Sequence, residues 1–164
     1  MRIAIGVMAL VLVADQASKW AVINVMGLDQ RLFIPVFDPY LNFAMAWNTG
    51  INFGLLSSGN WAARLVLIAL ALAICAWVWM WVRRDGARKW MQLSAGLLIG
   101  GALGNVIDRV RWGAVADFIN MSCCGVQNPY SFNIADIAVF AGAFGLILFS
   151  GRNDTGSTTG KDAA

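Results

Sequence analysis

Long apolar runs separated by short polar segments fill most of the chain. Four runs are long enough to be membrane helices, since a helix needs about 20 mostly apolar residues to cross a bilayer. These runs cover residues 3–26, 61–82, 90–108 and 133–150. The pattern therefore predicts a mainly α integral membrane protein with four transmembrane helices.

Residues 27–60 follow a different pattern, in which short apolar stretches alternate with turn residues. Leu32–Phe37 and Leu41–Trp47 are typical of short strands. The segments 38–39 and 48–50 (Asp-Pro and Asn-Thr-Gly) are turn signals. We therefore expect a small extracytoplasmic antiparallel β-sheet between the first and second helices.

The composition supports a membrane protein. The 164 residues are 59% hydrophobic and only 13% charged, whereas a soluble domain carries about 25% charged residues. We expect residues 1–150 to form a single membrane-embedded domain. Residues 151–164 are rich in Gly, Ser, Thr and Asp, which predicts a flexible cytoplasmic tail.

The basic residues set the predicted topology. Cytoplasmic loops of membrane proteins carry an excess of Lys and Arg, so the more basic side is assigned to the cytoplasm. With four spans, seven of the twelve basic residues fall on one side, in Arg2, the loop 83–89, Arg152 and Lys161. Both termini are therefore expected in the cytoplasm. Three arginines fall on the opposite, outer side: Arg31, Arg109 and Arg111. Aspartates on the same side neutralise their charge.

The missing residue types exclude several kinds of chemistry. All nine acidic residues are Asp, and the chain has no Glu and no His. Imidazole bases, His-ligated metals and the Ser-His-Asp or Cys-His nucleophiles are therefore excluded. Cys75, Cys123 and Cys124 lack the spacing of a metal or redox motif. We expect no metal and no cofactor.

Polar and ionisable side chains collect between Gly100 and Asp136, among the last two apolar runs. Ionisable groups at the edge of a bilayer are costly, so they indicate a functional site. The candidates are Asn105, Asp108, Arg109, Asp117, Asn133 and Asp136.

Asp117 and Asp136 are the candidates for a catalytic pair. They stand 19 residues apart, across a loop that returns the chain to the membrane, so contact between them is permitted. Two neighbouring carboxylates cannot easily both ionise, and the pair then serves as base and acid in one cycle. We expect one Asp to take a proton from water and the other to protonate the leaving nitrogen.

Structural explanations compete with functional ones at several positions. Asp15 and Lys19 lie one helical turn apart and form either a self-neutralising structural pair or part of a binding site. Asn48 is either a turn residue or a site residue. Asn133 and Asp136 have the spacing of a capping box, which competes with a catalytic role for Asp136.

Three glycines in the third helix recur every four residues, at Gly96, Gly100 and Gly104. Such a ridge lets another helix pack closely, so the glycines predict packing and not chemistry. The close approach would serve the polar residues that follow at the end of the same helix.

Five short motifs follow one another along the chain. They are Asp15-x-x-Ser18-Lys19, Asn48-x-Gly50-x-x-Phe53-Gly54, the run from Gly100 to Arg109, Val115-x-Asp117-Phe118 and Phe132-Asn133-x-Ala135-Asp136. In this order, within a chain of four predicted spans, they resemble the signal peptidase II family of bacterial aspartyl intramembrane proteases. The chain departs from the family pattern at Ala116, at Pro129 and at Cys123-Cys124, and both candidate aspartates stay in place.

The resemblance implies that Asp117 and Asp136 form the catalytic dyad. It also implies a set of residues that bind substrate or brace the site: Asp15, Lys19, Asn48, Gly50, Asn105, Asp108, Arg109 and Asn133. The implied reaction is cleavage of a diacylglyceryl-modified prolipoprotein on the N-terminal side of its lipidated cysteine. It would take place at the outer edge of the inner membrane, in a site that faces the periplasm.

The resemblance also implies the partners of the chain. They are the lipid-modified prolipoprotein and membrane lipids, without nucleic acid, and we expect a monomer. A small transporter with a carboxylate relay and a structural subunit are the rival functions. A relay would spread its carboxylates through the membrane depth, whereas these gather towards one face.

Overall fold

The computed structural model describes residues 1–50, 61–84, 88–126 and 128–150. The helices are α1 (Arg2–Trp20), which continues into a π-helical turn (Ala21–Val25), α2 (Leu28–Arg31), α3 (Trp61–Arg84), α4 (Lys89–Trp112) and α5 (Ile134–Ser150). The strands are β1 (Phe33–Phe37), β2 (Leu41–Asn48) and β3 (Val115–Asn120). The motif residues Phe53 and Gly54 and the expected tail 151–164 lie outside the described residues.

Three helices of the described chain are long and apolar enough to cross a membrane. They cover Arg2–Val25, Trp61–Arg84 and Lys89–Trp112, with 24 residues each. The fourth apolar run forms the shorter helix α5, of 17 residues, which spans about 25 Å at 1.5 Å per residue. Three candidate spans are therefore present, and a fourth crossing by α5 stays a prediction.

Helix α4 lies at the centre of the bundle and contacts α1, α3 and α5. In the most apolar 18-residue stretch of α4, 56% of the residues are buried inside the protein, whereas the corresponding share for α3 is 17%. The predicted glycine ridge faces α1: a Cβ on Gly96 would lie 2.7 Å from the carbonyl oxygen of Ala4, and one on Gly100 would lie 2.8 Å from that of Met8. The expected close helix packing is therefore present.

The sheet has three antiparallel strands in the order β1-β2-β3. The prediction of a sheet drawn only from residues 27–60 was incomplete, because β3 comes from the connection between α4 and α5. Every residue of β3 except Ile119 is buried, so its sequence lacks the alternation of a strand with one exposed face. Ala46 of β2 pairs with Asp117 of β3, which fixes one candidate catalytic residue beside the central strand.

The chain returns from β3 to α5 through a short antiparallel bridge. The amide of Ile119 donates to the carbonyl oxygen of Phe132 over 2.8 Å, and the amide of Phe132 donates back over 3.0 Å. Below the sheet, Phe118 packs with the buried Val22 and Leu28. These contacts hold the start of α5, and with it the second candidate residue, against the strand that carries the first.

Replacing Gly142 by Ala should destabilise the helix bundle. The added Cβ would lie 2.5 Å from the backbone nitrogen of Leu98 and 2.6 Å from the carbonyl oxygen of Ser94. Overpacking of this kind costs about 1–3 kcal/mol, so the midpoint of thermal unfolding in detergent should fall. Gly6→Ala is the matched control, since a Cβ there meets no atom of the described residues within 4 Å. Equal midpoints for the two variants would contradict the packing explanation.

Candidate active site

Asp117 lies on β3 and is only 3% exposed. Its Oδ1 accepts a hydrogen bond of 2.6 Å from Nδ2 of Asn133, and its Oδ2 accepts one of 3.1 Å from Nδ2 of Asn48. Burial, followed by the charge of Asp136, raises the pKa of Asp117 to about 6, although the two amide hydrogen bonds lower it. Asp117 therefore keeps a proton to higher pH than an ordinary aspartate.

Asp136 lies in the first turn of α5 and is half-buried. Its amide donates to Oδ1 of Asn133 over 2.9 Å, and the amide of Asn133 donates to Oδ2 of Asp136 over 3.3 Å. This reciprocal pair is the capping box that the sequence predicted. The other carboxylate oxygen, Oδ1, accepts a hydrogen bond of 2.8 Å from Nδ2 of Asn105 on α4. Capping thus occupies one oxygen of Asp136 and leaves the other inside the polar network.

Asn133 connects the two candidate catalytic residues. Its side-chain amide donates to Asp117, its backbone amide donates to Asp136, and the residue is completely buried. The same side chain lies 3.3 Å from Oδ1 of Asn105. The buried Asn133 thus bonds to both carboxylates, whose surroundings differ. Two carboxylates in different surroundings can divide the acid and base roles.

A buried group of charges lies next to this network. Lys19 of α1 pairs with Oδ2 of Asp15 over 2.8 Å and with Oδ2 of Asp108 over 2.6 Å, and the side chains of all three residues are 0% exposed. We call Asp15, Lys19 and Asp108 the charge triad. Because Lys19 is enclosed by two buried carboxylates, Asp15 and Lys19 have the contacts of a self-neutralising structural pair. A role of the two residues in substrate binding stays a prediction.

The charge triad also holds the segments that carry the candidate pair. Oδ1 of Asp15 accepts a hydrogen bond of 3.0 Å from the amide of Ala135, and Oδ2 of Asp108 accepts one of 3.3 Å from the amide of Ala116. Ala116 precedes Asp117, and Ala135 precedes Asp136. The triad therefore fixes the backbone on the N-terminal side of both carboxylates.

Asn48 makes a contact typical of a turn and a second contact with a candidate catalytic residue. Its Oδ1 accepts a hydrogen bond of 3.1 Å from the amide of Gly50, as in a turn, while its Nδ2 points to Asp117. Gly50 has a φ of 121°, and a Cβ there would lie 2.6 Å from Cδ1 of Leu67. A larger residue at position 50 would therefore be strained and would crowd Leu67, while its amide bonds to Asn48.

Arg109 lies at the edge of the network, half-buried on α4. Its Nη1 donates to the carbonyl oxygen of Asn105 over 3.3 Å. With Asn105 it borders a mainly apolar cavity of about 260 Å³ between α3, α4 and α5. The other residues that line the cavity are apolar: Leu67, Leu70, Ala71, Ile74, Leu98, Ala102 and Val139.

Comparison with known proteins places this arrangement in a family. A profile described as signal peptidase II matches residues 7–151, which is most of the chain. The chain belongs to the signal peptidase II family. The prediction from the five motifs is thereby confirmed.

Curated members of the signal peptidase II family support the assignment over nearly the whole length. A lipoprotein signal peptidase of Methylorubrum extorquens (strain PA1) is 40% identical over 151 residues, which cover 90% of this chain and 85% of the relative. One of Methylobacterium radiotolerans is also 40% identical, over 166 residues that cover 97% of this chain and 95% of the relative.

Two solved structures agree with the fold. Each is described as a bacterial membrane enzyme and is 29% identical to this chain, with TM-scores of 0.74 and 0.76. They cover 98% and 93% of this chain, and each is itself covered to 94%. The chain is therefore a multi-pass membrane protein with the architecture of these enzymes.

The sequence analysis missed Gln16. Its Nε2 donates to Oδ1 of Asp108 over 2.9 Å and to Oδ2 of Asp15 over 3.1 Å, so it completes the charge triad. An amide inside a membrane helix, next to an aspartate, was the available signal.

In the described part of the chain, no group of three or more Cys, Asp, Glu or His side chains could hold a metal ion.

Lys19→Met should destabilise this member of the family strongly. It leaves two buried carboxylates without a counter-charge, and breaking a buried ion pair from one side costs about 3–5 kcal/mol. Thermal unfolding in detergent measures the loss. Lys89→Met removes an exposed lysine at the start of α4 and should unfold close to the wild type. If both variants unfolded at the same temperature, the charge triad would not be a stabilising brace.

Proposed function

We propose that this chain is an aspartic endopeptidase that removes the signal peptide from lipid-modified prolipoproteins, with Asp117 and Asp136 as its catalytic residues. Membership of the signal peptidase II family supports the peptidase activity and the prolipoprotein substrate. The observation that carries the residue assignment is the double hydrogen bonding of Asn133, which joins the two carboxylates in one network.

Different surroundings divide the roles of the two aspartates. The raised pKa of Asp117 suits the general acid, which stabilises the developing oxyanion and protonates the leaving nitrogen. Asp136 lies at the N-terminus of α5, where the helix dipole favours a negative charge, so it is the general base. Asp136 takes a proton from water, and the hydroxide attacks the scissile carbonyl carbon. After Asp117 has protonated the leaving nitrogen, the proton that Asp136 took from water passes to Asp117, which restores the starting protonation state of the pair.

The substrate approaches through the membrane. The cavity between α3, α4 and α5 is apolar along α3 and ends at Asn105, whose side chain bonds to Asp136. An apolar segment of a lipid-anchored substrate fits such a cavity and brings the bond before the modified cysteine to the pair. In this proposal one domain, residues 1–150, works as a monomer among membrane lipids without a cofactor. Both termini are cytoplasmic, and the sheet and the pair face the periplasm at the outer edge of the inner membrane.

The arrangement of the carboxylates favours a peptidase over a transporter. Asp15 and Asp108 bond to the backbone directly before the candidate pair. Four of the aspartates thus form one compact network and not a series across the membrane depth, as a proton relay requires.

Asp117→Asn and Asp136→Asn should each abolish cleavage of a diacylglyceryl-modified prolipoprotein. Losing a general acid or base lowers the rate by about 100-fold or more, because neither amide exchanges a proton with water or peptide. The measurement is the appearance of mature lipoprotein with purified enzyme in detergent.

Asp29→Asn is the matched control for charge, since Asp29 is exposed on α2. It should cleave at the wild-type rate. Substantial cleavage by Asp117→Asn or Asp136→Asn, with normal membrane insertion, would overturn the assignment of the pair.

The pH dependence of kcat/KM should report the proton on Asp117. This proton is lost as the pH rises through the pKa of about 6, so kcat/KM should fall on the alkaline side as the acid is lost. The hydrogen bond from Asn48 lowers this pKa. Removing it in Asn48→Ala should therefore move the descending limb to higher pH.

The matched control is Asn24→Ala, because among the described residues the exposed side chain of Asn24 bonds only to the carbonyl oxygen of Trp20. Its profile should coincide with that of the wild type. A descending limb that stays in place, or moves to lower pH, in Asn48→Ala would show that another group supplies the acid.

A further inference from the structure

Cys123 and Cys124 form an exposed thiol pair in the connection between β3 and α5. Their Sγ atoms are 2.7 Å apart, and both residues are exposed and free of disulfides. Neighbouring side chains of an extended chain point to opposite sides, so the local backbone must turn to bring both sulfurs together. Neither thiol bonds to the network of the candidate active site.

The backbone turn at this pair is unusual for cysteine. The amide of Val126 donates to the carbonyl oxygen of Cys123 over 2.9 Å, which closes a four-residue turn. Its two central residues have positive φ values, 59° at Cys124 and 81° at Gly125. Tight turns of this type prefer Asn, Asp or Gly at both central positions, because a left-handed backbone is unfavourable for other residues. A cysteine kept in a strained conformation points to a use for its sulfur.

Hydrogen bonds fix the base of the turn. The amide of Asn128 donates to Oγ of Ser122 over 3.0 Å, and Nδ2 of Asn120 donates to the carbonyl oxygens of Asn128 and Tyr130 over 2.8 and 3.0 Å. Asn120 is the last residue of β3 and is buried. The turn is therefore tied to the sheet, and the two thiols are held near each other.

We propose that Cys123 and Cys124 are a redox site, a dithiol that closes reversibly to a disulfide between adjacent residues. The oxidant is another disulfide, either a small molecule or an oxidised dithiol protein. The thiolate of one cysteine attacks a sulfur of the oxidant and releases one thiol. The second cysteine then attacks the mixed disulfide, forms the bond between Cys123 and Cys124 and releases the second thiol. Two electrons and two protons pass to the oxidant, so the step is balanced.

Chain geometry makes this disulfide easy to reduce again. Adjacent Cα atoms are about 3.8 Å apart, whereas disulfides usually join Cα atoms at least about 4.4 Å apart. Strained, exposed disulfides are the labile ones. The pair therefore cycles between two states instead of acting as a permanent crosslink. An oxidising compartment would supply the disulfide, and this clause alone depends on the periplasmic orientation proposed above.

The test uses the full chain, purified in detergent, reduced and then treated with oxidised glutathione. Its intact mass should fall by two hydrogen atoms without a lasting glutathione adduct, and dithiothreitol should restore it. Cys123→Ser and Cys124→Ser each leave a single exposed thiol beside the buried Cys75, and this exposed thiol should retain glutathione. Cys75→Ser is the matched control, since Cys75 is buried on α3, and it should close the ring as the wild type does.

An unchanged mass, a stable glutathione adduct on the wild type or covalent dimers would each overturn the redox site. Cleavage of a lipid-modified prolipoprotein is measured in parallel on the same samples. A chain that closes the ring but does not cleave overturns the proposed peptidase function only. A chain that cleaves but never closes the ring overturns the redox site only.

Discussion

The rest of the structure depends on the burial of Lys19 between Asp15 and Asp108. Removing a charge from water costs several kcal/mol even in a relaxed protein, so three fully buried ionic groups must stay together. Asp15 and Lys19 belong to α1, and Asp108 belongs to α4. The charge triad therefore sets the depth at which these helices pass each other, and the glycines between them permit the close approach that the ion pairs need.

The charge triad also bonds to the backbone next to the candidate catalytic residues. One carboxylate of the triad bonds to the amide of Ala116 and the other to that of Ala135, each of which directly precedes a candidate catalytic aspartate. The positive charge of Lys19 also lowers the pKa of Asp117, against the larger effect of burial. A single buried cation thus stabilises the helix packing and adjusts the acidity of the site, so the two properties are not independent.

Much of this fold follows from the length and spacing of the apolar runs. The observed helices begin and end within a few residues of the predicted ones, because bilayer thickness and helix rise leave little freedom. Strand β3 was not predicted, since its pairing with β2 joins residues about seventy positions apart and burial removes the alternation. Long-range pairing depends on tertiary context, which local sequence does not contain.

The candidate site was found as a set of residues but not as an arrangement. The motifs predicted Asn133 as a site residue. Only the structure shows that its side chain bonds to Asp117 and its backbone amide to Asp136. The choice between a capping and a catalytic Asp136, or between a turn and a site role for Asn48, could not be made from sequence. Each side chain has two polar atoms: one makes the capping or turn contact, and the other bonds within the network of the candidate pair.

The hydrogen bonds of β3 also determine what its outer edge can accept. On the side of β3 away from β2, the amide of Ala116 donates to Asp108, and its carbonyl oxygen accepts from Asn133. On the same side, the amide and carbonyl oxygen of Ile119 both bond to the backbone of Phe132. Within the described residues this edge is therefore occupied by the protein's own groups. A peptide cannot add to the sheet as a further strand beside Asp117 at these positions, as strand-addition receptors require. Recognition of an extended prolipoprotein segment at these positions must then rely on side chains and not on strand pairing.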